Sequence, residues 1–187
     1  MNFRTFSLIA ILTQVAFAQN NVKTNDAKIV KDASDWLSSV KYIKGEFIQT
    51  TNSGDACLGR LWISTKDKKI KIVYTSGPEQ EININDKYVV VTKEGKKYNS
   101  SIGGSPIYSI LCGTLDISKE KFEVLENSKD TLRIKINKFG DVILVFSKYP
   151  NGNIKTIIAW IIDGILCSLD PESIRINDPK EIPHEWR

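Results

Sequence analysis

Residues 45–64 read GEFIQTTNSGDACLGRLWIS. Two runs of alternating side chains flank a break at Asn52-Ser53-Gly54-Asp55. Successive side chains of an extended chain point to opposite faces. Phe47 and Gln49 therefore share one face, and Glu46 and Ile48 the other. Past the break, Leu61 and Ile63 oppose Arg60 and Trp62. A period of two bounded by turn formers reads as a hairpin. Each of its faces carries large apolar groups, so each must meet something other than water.

The same period runs outward from this hairpin. YIKGEFIQT, CLGRLWIST, KKIKIVYTS, QEININD, KYVVVTK and KKYN follow one another across short polar breaks. A second series reads KFEVLEN, TLRIKIN, DVILVFSKY, NIKTIIAWII, GILCSLD and SIRIN. Ser76-Gly77-Pro78, Asn85-Asp86, Glu94-Gly95, Gly140-Asp141, Asn151-Gly152 and Asp163-Gly164 supply turn chemistry between them. Strands joined by such short links pair antiparallel, because parallel pairing needs long crossovers. Two segments depart from the pattern. In residues 26–40, Ile29, Ala33, Trp36, Leu37 and Val40 lie on one helical stripe. Between the two strand series, Ser105 can cap a short helix PIYSILC, with Pro106 in its first turn and Gly113 at its end. Two helices cannot cover about 11 or 12 strands on both faces, and so long a sheet does not stay flat. The expected fold is mainly β (α+β): an open antiparallel sheet that curls and tucks its helices into the concave side.

The chain begins with Met1-Asn2-Phe3-Arg4, an apolar run SLIAILTQVAF and a small-residue site Ala16-Phe17-Ala18. That layout is the one expected of an export signal cleaved after Ala18. The run is shorter than the roughly 20 apolar residues a spanning helix needs, and Thr13 and Gln14 interrupt it. No cysteine follows the cleavage point, so lipid attachment there is not expected. Residues 19–187 are then read as a single exported domain, large enough to bury a core. The formal charge of +4 falls to about +3 without Arg4. Acids and bases are interleaved, and no nucleic-acid motif is present, so nucleic acid is not an expected partner. The densest basic run, Lys66-Asp67-Lys68-Lys69-Ile70-Lys71, reads as an edge guard or as a docking patch for acidic partners.

Little in the sequence speaks for catalysis. The one histidine, His184, lies in the tail PHEWR. No G-x-S-x-G, HExxH or P-loop pattern occurs. The acid pairs Asp32/Asp35 and Glu79/Glu81 fall on solvent faces by period. Cys57, Cys112 and Cys167 are spaced too widely for a metal knuckle. Their odd count leaves at least one thiol unpaired within the chain, and burial as small hydrophobes is expected. No enzyme activity, cofactor or metal is expected.

Several short motifs, in order, resemble one family. Phe47-Ile48-Gln49, after a helix and a basic link, resembles the F-x-Q strand of periplasmic outer-membrane lipoprotein carrier proteins, the LolA-like family. Gly59-Arg60-Leu61-Trp62-Ile63 is similar to that family's G-x-L-W strand, and Tyr74 with Gly77-Pro78 to its Y-x-x-P segment. Ile84-Asn85-Asp86-Lys87 resembles its next hairpin, and Ser105-Pro106 with Leu111 its inner helix. Ala159-Trp160-Ile161-Ile162-Asp163-Gly164 resembles a late W-x-x-x-D-x-x-G stretch at tighter spacing. The resemblance covers roughly residues 26–180. It implies an open β half-barrel of about 11 strands with α-helices as a lid, in a monomeric periplasmic chaperone. Its cargo would be acylated lipoproteins, received from an inner-membrane lipoprotein-releasing transporter and passed to a lipid-anchored outer-membrane receptor. A lipoprotein-sensing regulatory domain of the same fold is the alternative. The trough residues this implies are Phe47, Leu61, Ile63, Ile72 and Tyr74 on the strands, with Ile107, Ile110 and Leu111 on the lid. Family members carry a lid-holding Arg where this chain reads Ser64-Thr65-Lys66, which makes Lys66 the candidate latch.

Overall fold

The structure is a computed structural model that describes residues 24–77, 79–102, 105–137 and 141–186. The export signal expected over residues 1–18 lies outside the described residues. Gly140 of the expected Gly140-Asp141 turn and Pro78 of the Gly77-Pro78 pair do too.

The chain opens with α1 (Thr24–Ser39), followed by β1 (Tyr42–Thr50), β2 (Ala56–Ser64), β3 (Lys69–Tyr74), β4 (Gln80–Ile84), β5 (Tyr88–Lys93) and β6 (Lys96–Ser101). A crossover holds α2 (Pro106–Leu111) and a 3-10 turn, Ile117–Lys119. The return half is β7 (Phe122–Asn127), β8 (Thr131–Ile136), β9 (Val142–Lys148), β10 (Ile154–Ile162), β11 (Ile165–Leu169) and β12 (Arg175–Ile176). All strands join one twelve-stranded sheet in the order β6-β5-β4-β3-β2-β1-β11-β10-β9-β8-β7, with β12 beside β1. Every pairing is antiparallel, as the short links require. The sheet does not close: β6 and β7 are its two free edges. The expected half-barrel is the observed fold, and the period-two strands were placed where alternation put them. The last strand is the exception, since SIRIN contributes only Arg175–Ile176 to pairing.

Turn chemistry fixes the register. Glu94 and Gly95 have φ of 50° and 76°, and Asp163 and Gly164 of 49° and 78°. Both central residues in the left-handed region make a type I′ turn, whose twist matches that of the flanking strands.

The inner face holds one continuous core. Val30, Ala33 and Leu37 of α1 are buried in one cluster with Leu132, Ile134, Leu144 and Phe146 of β8 and β9. Trp36 meets Phe146 edge-on, with ring centroids 6.1 Å apart. From α2, Tyr108, Ile110 and Leu111 are buried in the same cluster as Ile43, Ile63 and Ile70. Ser105 caps α2 through Tyr108 N, as expected. The outer face near Trp62 has its own cover. Asn177 accepts hydrogen bonds from Lys41 N and Tyr42 N. The final residues then lie against the sheet through a Lys44–Glu181 ion pair and a 2.5 Å Lys71–Glu185 contact. Trp186 lines a crevice with Trp62 and Pro183. His184 sits in this docked segment and is itself exposed.

Candidate functional site

The inner faces of the two sheet halves meet where β1 pairs β11. In one cross-strand row, Phe47 stands opposite Leu169 on one side and Gly59 on the other, and Gly59 stands opposite Tyr74. Gly59 gives the Phe47 ring its place: a Cβ there would lie 2.5 Å from two Phe47 ring carbons and 2.8 Å from the Val73 carbonyl. The ring crosses the glycine and meets Tyr74 edge-on at 5.6 Å. In the next row Gln49 lies between Cys57 on β2 and Cys167 on β11, and Cys167 is opposite Trp160. The Tyr74 hydroxyl donates to Gln49 Oε1 at 2.9 Å.

Above these rows opens a cleft of about 260 Å³. Phe47, Gln49, Leu61 and Ile72 line it from the first half of the chain. Trp160, Ile162, Asp163, Ile165 and Cys167 line it from the second. Its wall is apolar apart from Gln49 and Asp163. At one end Asn52 Nδ2 donates to the Asp163 carbonyl at 3.3 Å, tying the β1–β2 loop to the β10–β11 turn. Burial pushes the Cys167 thiol up to about 12. Burial also raises Tyr74, with the Cys167 and Cys57 thiols beside it adding to the shift. The wall is thus largely apolar, with exposed Asp163 its one acidic lining residue.

Of the residues expected in the trough, Phe47, Leu61 and Ile72 line the cleft. Tyr74 stands behind Phe47 and orients Gln49. Ile63 is fully covered in the core. Ile110 and Leu111 are buried beneath α2, and Ile107 packs half-buried against the core. These helix residues form the contact that seats α2 rather than the present wall of the cleft. Gln49 and the residues from β10 and β11 are the part of the wall that was not assigned from sequence.

Lys66 is exposed and makes no hydrogen bond or ion pair among the described residues. The fastening falls to its neighbours. The Tyr108 hydroxyl on α2 donates to the Lys68 carbonyl in the β2–β3 turn at 2.9 Å, and burial pushes that phenol up to about 12. Thr65 donates through its hydroxyl to the Val40 carbonyl and through its amide to the Lys41 carbonyl, at the end of α1. On the other side, Ser34 of α1 donates to Asp116 Oδ1 at 2.8 Å. Asp116 also accepts from the amide and hydroxyl of Ser118. Those hydrogen bonds, Ser118 first and then Ser34, hold its carboxyl well below the usual range.

All three cysteines are free. Cys57 and Cys167 lie two strands apart, about 10 Å between Cα atoms, beyond the reach of a disulfide. No group of three or more His, Cys, Asp or Glu converges on a point among the described residues. No helix among them is long and apolar enough to cross a membrane.

No family model matches the chain, and no curated protein matches it. Among solved structures, the chain is similar to an uncharacterized conserved protein from Thermus thermophilus, at a TM-score of 0.52 and 6% identity, covering 86% of this chain and 94% of that one. A LolA superfamily protein from Nitrosomonas europaea superposes at a TM-score of 0.42 with 10% identity, covering 85% and 96%. A DUF1329 family protein from Desulfovibrio piger superposes at 0.44 with 9% identity, covering 87% and 98%. At 6% identity, the first of these likenesses shows a shared fold: an open antiparallel sheet wrapped around its helices.

Proposed function

We propose that this protein binds acyl chains in the cleft between its sheet halves and carries acylated proteins through the periplasm. The observation that carries the reading is a largely apolar cleft, bounded by Phe47 and Trp160 with Asp163 its one acidic lining residue, on the inner face of a sheet that does not close. Each methylene moved from water into such a wall gains about 0.8 kcal/mol. A long acyl chain therefore favours the cleft over water while still able to leave for a membrane. The ordered resemblance of Phe47-Ile48-Gln49, Gly59-Arg60-Leu61-Trp62 and Ser105-Pro106 to lipoprotein carriers supports a lipoprotein as the cargo.

The cleft of about 260 Å³ falls just under the roughly 300–1,000 Å³ typical of small-molecule sites. Cargo with several chains thus needs α2 to lift. Its departure would take Tyr108, Ile110 and Leu111 out of the core they share with Ile63 and Ile70 and enlarge the trough. The cargo offsets the cost of opening, which is a shift between two populations. Energy to pull cargo from a bilayer would come from an inner-membrane transporter, and a lipid-anchored receptor would take the cargo onward. The test is to mix the protein, without detergent, with a tri-acylated lipoprotein. The lipoprotein is expected to stay in the supernatant as a stoichiometric complex; cargo that pellets as it does alone contradicts the proposal.

A further inference from the structure

Beyond the cleft, the inner face of β3–β6 continues as an open apolar strip with a cationic end. Register places Leu61, Ile72, Ile82 and Val91 in one row across β2, β3, β4 and β5. Burial falls along that row. Leu61 is 1% exposed, whereas Ile82 and Val91 are only partly buried and stand outside the continuous core. The neighbouring row on the same face starts at Tyr74 and runs through Gln80 to Lys93 and Lys96. Lys93 and Lys96 face each other across the Glu94-Gly95 turn. Like charges directly opposite in a sheet are unfavourable, and neither lysine has an ion pair or hydrogen bond among the described residues. Glu79 and Glu94 lie at the same corner and are exposed, but pair with neither. The sheet thus presents two facing ammonium groups, neither in contact with a carboxylate, beside the open end of an apolar track. Three interstrand spacings, about 14 Å, separate Leu61 in the cleft from the strand that carries Lys93.

We infer that the cleft takes, besides acylated protein, an amphiphile with an anionic head: its chain lies across β2–β5 from the cleft, and its head rests on Lys93 and Lys96. The inference rests on the acyl-binding reading above and adds to it a head-group chemistry and a direction of entry, from the β5–β6 hairpin. Lysine heads act as point charges here and recognise charge rather than the shape of one anion. An exposed pair of this kind is worth a preference of about fivefold.

The experiment compares hexadecanoic acid, ionised at pH 8.5, with 1-monohexadecanoylglycerol, both below their aggregation concentrations, by displacement of a fluorescent fatty-acid probe. The wild-type protein is expected to bind the acid about fivefold tighter than the neutral ester, and added salt is expected to erase the difference. In Lys93→Gln/Lys96→Gln the preference should vanish while ester binding stays as it was. In Lys28→Gln/Lys155→Gln, which removes two exposed lysines elsewhere, the preference should persist. Equal binding of acid and ester by the wild type, or a preference that survives Lys93→Gln/Lys96→Gln, overturns the inference and leaves the acyl-binding reading standing. Binding of neither ligand overturns both.

Discussion

Gly59 shows how one side chain, or its lack, shapes the cleft. Phe47 can cross the sheet only because nothing projects from β2 at that point. In Gly59→Ala the Val73 carbonyl on the other side blocks simple accommodation, so the Phe47 ring must swing toward the cleft. Overpacking of this sort costs about 1–3 kcal/mol. A lower urea midpoint together with weaker acyl binding is the expected result, and an unchanged midpoint would show that the ring is not held there. Wall and core residues should separate in the same assay. Ile82→Asn, on the partly exposed strip outside the core, should weaken ligand binding at a smaller stability cost than truncation of a core residue. Leu132→Ala, at a position with no exposure, should cost about 2–5 kcal/mol. Urea titration and probe binding read both. Phe47, Leu61 and Ile72 were legible from sequence because alternation alone sets their face. Trp160 was not. A register shift between Ile157 and Ala159 moves the inward face by one residue, so strict alternation from Ile157 would send Trp160 outside.

At the scale of elements, the question is what holds the two helices inside the curl. α2 is only six residues long, too short to persist alone. Its place depends on burial of Ile110 and Leu111 and on the Tyr108–Lys68 bond. Tyr108→Phe removes that bond and should cost about 1 kcal/mol locally. Amides of residues 107–112 should then exchange several-fold faster while those of β8 and β9 do not; unchanged exchange would mean the bond does not hold the helix. The link between α1 and the crossover runs through Asp116. Its folded pKa lies below the ordinary 3.8, so ionised Asp116 stabilises the fold above that value. That stabilisation is lost as pH falls from about 4 through the folded pKa. Asp116→Asn should flatten this acid limb of the stability curve, measured by thermal unfolding between pH 2 and 6. An unchanged limb would assign acid sensitivity to other carboxylates. The helices themselves were readable: a 3.6-residue stripe marked α1, and Ser105-Pro106 with Gly113 marked α2. The latch was not, because Lys66 could be placed only by resemblance, whereas Tyr108 reaches the turn through a contact between residues 40 positions apart.

For the molecule as a whole, the decisive feature is the asymmetry of cover. The return half of the sheet is packed shut by α1, and the outer face around Trp62 is overlaid by the terminal segment. On the inner face of the first half, α2 is tied to the β2–β3 turn, and the row from Ile82 to Val91 lies outside the continuous core. Period and turn chemistry made the open curled sheet readable. The pairing of β11 with β1, which brings the two cleft walls together, is a long-range register that no local pattern encodes. The four tryptophans allow the central claim to be tested directly. Variants keeping only Trp160, in the cleft wall, or only Trp62, on the outer face, would be titrated with a fatty acid brominated along its chain, and indole fluorescence recorded. The account predicts saturable quenching of Trp160 and none of Trp62; equal quenching of the two, or an unquenched Trp160, would contradict it.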